Sequence, residues 1–315
     1  MITVRASSLS DFLDCPLRWK AKHIEKKTLP ASGRARLGTS IHAGTALFDR
    51  QAIDNIKVSV DDAMGATAEK LWRKDEEEVK WTDDLSQGKA EEIALDLTEK
   101  YCRRISPQQG FIEVEKKCEC IEITDLNIAL TGTLDRIYTD NTGAAGIMDI
   151  KSSGSIVGPT GEVKTSGHMF QLEVYRLLAS SLGYSLTAPA KIVGLQTAKT
   201  REARRVGIGV IDSSLETLIG DEFTKGPLEM VANMLSAGLF PPNPRSMLCS
   251  GKFCPTYVTC KYRADIRLAE HNVRIPRNAV IESAFLRMDN SFNIGVAYEG
   301  LLIRGDYNNL PIFLF

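Results

Sequence analysis

The sequence predicts an α/β (α+β) fold, a mixed central sheet flanked by helices and preceded by a helical N-terminal region. Three observations lead there. The first hundred residues carry apolar side chains at helical spacing. From Gly110 the pattern changes to strand-like runs, and beyond residue 153 helical and strand-like stretches alternate.

In chain order, Ser8 stands where a helix cap belongs, before Leu9, Phe12 and Leu13, and Pro16 closes that turn. Leu37, Ile41, Thr45 and Phe48 recur every three or four residues and predict a helix from Arg36 to about Ala52. Two more helices are expected near 60–80 and 85–105. FIEVEKKCECIEI and LNIALTGTLDRIYTD read as strands, and the turn-prone DNTG leads into a third, AAGIMDIKSS. HMFQLEVYRLLASSLG predicts a helix stopped by Gly183. AKIVGLQTA and RRVGIGVID are expected strands, and SLETLIGDEFTKGPLEMVANMLSAG a return to helix. FNIGVAYEGLLI and PIFLF are strand-like runs in a C-terminal extension, residues 266–315, of unknown role.

The bulk numbers exclude several classes. The chain has 315 residues, 43% hydrophobic and 25% charged, which is ordinary for a soluble globular protein. Its apolar runs are shorter than a membrane span, and MITVRASSLSDFL lacks signal-peptide blocks, so a cytoplasmic protein without membrane association is expected. A net charge of −1 advertises no global attraction to nucleic acid. Basic residues nevertheless cluster around Arg18, Lys20 and Arg36 and again around Lys199 and Arg204, either as solvated faces or as a local phosphate-binding track.

Seven cysteines in a reducing compartment point to metal binding or burial rather than to disulfides. Cys102, Cys118 and Cys120 sit in amphipathic or alternating runs and read as packing residues. Cys15, Cys249, Cys254 and Cys260 remain, the last three within CSGKFCPTYVTC.

The run GTLDRI followed by GIMDIKSSG carries the chemistry. Asp149 and Lys151 are two apart on an expected strand and leave the same face. Asp135 lies near the end of the preceding strand, which a short hairpin places alongside. Two converging carboxylates suit Mg²⁺ or Mn²⁺, and a nearby ammonium can orient a water or offset phosphate charge.

Gly132 to Arg136, then Asp149 to Ser153, then Gln171 to Tyr175 on the next helix, together resemble the RecB-type nucleases of the PD-(D/E)xK superfamily. The resemblance implies a restriction-endonuclease-like sheet in which Asp135, Asp149 and His42 (from LGTSIHAG) hold Mg²⁺ or Mn²⁺, joined by the Ile150 carbonyl. Lys151 then assists the attacking water, and Gln171 and Tyr175 face DNA or brace the site. Arg18, Lys20, Arg36, Arg136, Lys199 and Arg204 are the expected DNA contacts. Ser8, Cys15–Pro16 and the later trio are similar to the iron–sulfur subgroup, which includes CRISPR-adaptation nucleases and AddAB-type nuclease domains. That likeness implies a 4Fe-4S cluster on Cys15, Cys249, Cys254 and Cys260, joining the N- and C-terminal parts. This chain has C-x4-C-x5-C where the subgroup more often has C-x2-C-x5-C, and a four-thiolate Zn²⁺ site is the competing reading. The implied nuclease domain spans 1–265, with a helical part over 1–108, a catalytic core over 109–240 and the cysteine segment over 241–265.

The function so implied is a metal-dependent DNA nuclease, an exonuclease or one acting on single strands and ends. It would serve recombination, repair or CRISPR-type DNA processing, in a cellular or phage setting. No G-x-x-x-x-G-K-[ST] loop occurs, so unwinding would fall to a separate helicase, and an oligomer is compatible with the sequence. The alternatives are a non-cleaving DNA-binding adaptor of the same fold and, ranked lower, a restriction-type endonuclease.

Overall fold

Serines set the starts of three N-terminal helices. In the computed structural model, which describes residues 1–73, 78–211, 215–221 and 223–263 and the backbone of 280–286, 292–298 and 301–307, Ser32 accepts a hydrogen bond from Ala35 N at the head of helix α3 (Gly33–Asp54). Ser59 forms a reciprocal capping box with Asp62 before α4 (Val60–Trp72), and Ser86 accepts from Lys89 N before α5 (Gln87–Arg104). Ser8 behaves differently from expectation. Its hydroxyl donates to Arg5 O and accepts from Trp19 Nε1, so α1 (Leu9–Asp14) begins without a side-chain cap. Pro16 ends α1 and also starts α2 (Pro16–His23), a position where its missing N–H costs nothing.

The sheet begins with a strand that alternation did not reveal, β1 (Ile2–Arg5), followed much later by β2 (Gly110–Ile123), β3 (Ile128–Thr139) and β4 (Ala145–Ser153). After α6 (Met169–Ser181) come β5 (Ala190–Gln196) and β6 (Val206–Ile211). Strand order is β1-β3-β4-β5-β6, with β2 along the other side of β3. The β1–β3 and β4–β5 pairs are parallel and the rest antiparallel, which confirms the expected mixed sheet.

Gly183 ends α6 as expected. It takes φ 89° while Gly183 N and Tyr184 N bond back to Ser180 O and Ala179 O. The helix expected after β6 is instead two pieces, α7 (Glu216–Ile219) and α8 (Pro227–Ser236). Gly220, at φ 83°, and the Gly226–Pro227 step interrupt it.

Both faces of the sheet are covered. On one, Val4, Leu134 and Ile192 pack with Phe12, Leu172, Leu178 and Val231 from α1, α6 and α8. On the other, Tyr138, Met148 and Val193 pack with Leu37, Ile41 and Leu97 from α3 and α5. Burying a side chain of this size contributes about 1.5–3 kcal/mol. The two layers therefore clamp the strands that carry the chemistry.

The chain divides into two units, Met1–Pro241 and Pro242–Phe315. The second contains the turn-rich cysteine segment and a three-stranded antiparallel sheet, β7 (Val280–Leu286), β8 (Phe292–Tyr298) and β9 (Leu301–Tyr307), ordered β9-β8-β7. PIFLF lies outside the described residues. Among the described residues, no helix is long and apolar enough to cross a membrane.

Candidate metal centre

The site forms where β3 and β4 part. Their ladder runs from Thr139↔Ala145 to Arg136↔Met148 and stops there. One step further, Asp135 Oδ2 accepts from Ile150 N at 2.8 Å, so a side chain satisfies the backbone donor that the diverging strand leaves behind. The same geometry brings Asp135 and Asp149 together.

Asp149 is buried, and Lys151 Nζ lies 2.8 Å from its Oδ2. That ion pair compensates the charge on Oδ2. Gln171 Nε2 reaches Asp149 Oδ1 at 3.4 Å and also donates to Tyr175 Oη at 3.0 Å. One helical turn separates Gln171 from Tyr175, and both are buried. Both side chains thus lie against Asp149 inside the fold. Burial and the neighbouring Asp135 charge push the Asp149 carboxyl up to about 6, against the pull of Lys151 and His42.

Helix α3 contributes one face. His42, Thr45 and Asp49 are spaced three and four residues apart and so point the same way. His42 Nδ1 lies 3.6 Å from Asp135 Oδ2 and 3.9 Å from Glu115 Oε1. Burial disfavours its charge, but the carboxylates of Asp135, Glu115 and Asp149 outweigh that and raise its pKa. Among the described residues, His42, Glu115 and Asp135 are the group whose ligand atoms lie within 4.8 Å of one another. An imidazole and two carboxylates fit a hard divalent cation such as Mg²⁺ or Mn²⁺, and Asp149, also expected as a ligand, lies outside this group of three. Ile150 adjoins it through its backbone.

Nothing in the sequence marks Glu115, since an alternating strand face accounts for an acid at that position. It sits in β2 at φ 52°, a left-handed conformation that non-glycine residues in strands rarely take. No sequence signal encodes that torsion. Burial pushes its carboxyl upward, but His42 and Arg136 outweigh it and hold the carboxyl below its ordinary value.

The expected DNA contacts need correction. Arg136 is wholly buried. Its Nε donates to Asp49 Oδ2 at 2.6 Å, Nη1 to Asp135 O at 2.7 Å and Glu115 Oε1 at 3.3 Å, and Nη2 to Thr45 Oγ1 at 3.3 Å. Asp49 accepts in addition from Tyr101 Oη and Ser106 Oγ. Burial opposes the charge on Arg136, and the Asp49 carboxylate overcomes it, keeping the guanidinium firmly protonated. Arg18 is buried against Asp11 and Asp14, Arg36 against the Lys70 carbonyl, and Arg204 against Glu92 and the Ala198 and Lys199 carbonyls. These four guanidinium groups serve the interior. Lys20, paired loosely with Glu25, and the exposed Lys199 remain accessible to solvent.

The histidines without an assigned role divide as well. His23 stacks on Trp19. At the head of α6, burial and the nearby Lys151 lower the pKa of His168.

Among the cysteines, Cys102 and Cys118 are buried, and that burial pushes their thiols up to about 12 and about 11, as packing residues require. Cys120 is exposed, contrary to expectation, because β2 is irregular between Cys118 and Ile121. Cys15 is half-buried at the junction of α1 and α2. Cys249, Cys254 and Cys260 are half-buried in the turns of the second unit. None of the seven is in a disulfide.

The profile of the PD-(D/E)XK nuclease superfamily matches residues 3–261. No curated protein matches the chain. The crystal structure of SSO0001 is similar to it over 83% of this chain and 86% of that one, at 16% sequence identity and a TM-score of 0.40.

Proposed function

Because the chain belongs to the PD-(D/E)XK nuclease superfamily, we propose that it is a metal-dependent DNA nuclease acting on single strands or duplex ends, an exonuclease in recombination, repair or CRISPR-type processing. The observation that carries the reading is the approach of His42 to Asp135 at 3.6 Å, next to the strand pair Asp149 and Lys151, whose partly exposed ammonium lies 2.8 Å from the buried carboxylate. A bound Mg²⁺ or Mn²⁺, held by those three side chains and the Ile150 carbonyl, supplies Lewis-acid polarisation of a phosphoryl oxygen and of water. Lys151 Nζ orients the attacking water and offsets charge growing on the phosphate. Asp149 aims Lys151, while Gln171, anchored on Tyr175, fixes the rotamer of Asp149.

The thiols of Cys15, Cys249, Cys254 and Cys260 form the second part of the proposal, as ligands of a 4Fe-4S cluster. Its support is the sequence pattern and the partial exposure of all four, in contrast to the buried Cys102 and Cys118. No catalytic step passes through it.

The deciding experiment mixes anaerobically purified protein with end-labelled linear and circular DNA, with and without Mn²⁺, beside Lys151→Ala. Metal-dependent degradation that falls by about 10²-fold or more in the variant is expected. Binding without cleavage under every condition would sink the enzyme and favour the adaptor. Cleavage of circular DNA would remove the exonuclease reading alone.

A further inference from the structure

Glu115 has no place in the motif that defines the proposed nuclease site, yet the chain holds it there at a cost. A non-glycine residue in the left-handed region is strained by roughly 1–3 kcal/mol and persists only where its surroundings fix it. The fixing contacts are identifiable. Arg136 Nη1 donates to Glu115 Oε1, while Nε of the same guanidinium is tied to the buried Asp49. Tyr101 shares Asp49 Oδ2 with Arg136, and Ser106 holds Oδ1. The fork of Arg136 is therefore clamped at one end and presents Glu115 at the other, a geometry that a point-charge lysine cannot reproduce.

What Glu115 is presented to is a gap among donors. Its Oε1 faces His42 Nδ1 at 3.9 Å, and His42 faces Asp135 Oδ2 at 3.6 Å. An octahedral cation with ligands at about 2.1 Å separates neighbouring donors by roughly 3 Å and opposite ones by roughly 4 Å. The spacing thus suits donors waiting to close on one ion. Nearby, the buried Asp149 carboxylate is paired on Oδ2 with Lys151, so its charge is already partly balanced while that of Asp135 faces His42. Glu113, two residues earlier on the same strand, bonds instead to Tyr184 and Lys116. The strand thus commits one of its two neighbouring acids to the site.

We propose that Glu115 is an additional carboxylate ligand of the divalent ion, positioned by Arg136 acting from Asp49. The inference rests on the nuclease reading of the same site. It adds a third acid to the pair Asp135 and Asp149 and gives Arg136 a positioning role in place of a DNA contact.

The test is Mn²⁺ binding to the full chain without DNA, followed by electron paramagnetic resonance of free Mn²⁺. Wild type, Glu115→Gln, Glu113→Gln and Asp149→Asn are compared, with circular dichroism to verify folding. Glu115→Gln should weaken binding by about tenfold or more, and Glu113→Gln should bind as wild type does. Wild-type affinity in Glu115→Gln beside weakened binding in Asp149→Asn would overturn this proposal alone. Unchanged affinity in both would overturn the nuclease metal site as well. Should Glu115→Gln fail to fold, Glu115→Asp decides, since it keeps a charge for Arg136 but withdraws the oxygen by one methylene. Weakened binding there supports the ligand role, and wild-type binding refutes it.

Discussion

At the scale of single residues, the site stores electrostatic tension that an ion can release. Asp149, raised to about 6 from 3.8, is destabilising when ionised in the fold. Above pH 6 the penalty is fully present, and as pH falls from 6 toward 4 the folded state binds the proton first and the penalty fades. It amounts to about 3 kcal/mol at most. If Asp149 holds the divalent ion as proposed, the ion would take that proton's place, so the rise in Tm caused by Mn²⁺ should grow between pH 5 and pH 7 and shrink in Asp149→Asn. A Tm shift independent of pH would contradict this. Asp49 makes a different case. Converting it to Asn takes the nearest carboxylate from the buried Arg136 and leaves it Glu115 at 3.3 Å, and urea unfolding should show a loss of about 3–5 kcal/mol. A loss below 1 kcal/mol would show that water or another acid replaces it.

Elements reveal what close packing asks of small residues. Gly132, on β3, leaves room for Tyr175, and an added Cβ would meet its ring at 2.7 Å. On α3, Gly44 faces the Ala63 carbonyl of α4, which a Cβ would approach to 2.4 Å. A ring can tilt, whereas a helix backbone moves only as a body. Gly44→Ala should therefore lower stability by more than 1–3 kcal/mol. Gly132→Ala should leave most of the stability and reduce cleavage by displacing the Tyr175–Gln171 brace. The two outcomes separate by thermal melting and nuclease assay, and an inert Gly44→Ala would refute the packing argument. Much at this scale was legible beforehand, because helices α3, α5 and α6 and strands β2 to β6 announce themselves by periodicity and turn residues. Four-residue ITVR is too short to alternate visibly, so β1 was not anticipated. The run after β6 has helical composition but is cut by Gly220 and Pro227. Within the site, motif order identified Asp135, Asp149, Lys151 and His42 as neighbours. It could not reveal the torsion of Glu115 or which basic residues turn inward, since a cluster of arginines in sequence has no stated direction.

At the scale of the whole molecule, the cysteines make a separable prediction. Anaerobic protein should absorb visible light, and the colour should vanish in Cys15→Ala, Cys249→Ala, Cys254→Ala and Cys260→Ala alike. It should persist in Cys120→Ala, whose exposed thiol reacts with a thiol reagent before the buried Cys102 and Cys118 do. Colour surviving Cys15→Ala would dissolve the four-ligand reading. The sheet carries another consequence through its least conspicuous strand. Ile2 pairs with Ile128, so joining β1 to β3 closes a loop on the order of a hundred residues, at an entropic cost of about 4 kcal/mol. That loop contains α3 and therefore His42. During synthesis, β1 has no partner until β3 has emerged, and in refolding this pairing is among the most non-local in the chain. Completion of the sheet is therefore expected to wait on a long-range contact made by four residues, across a loop that includes the helix bearing His42.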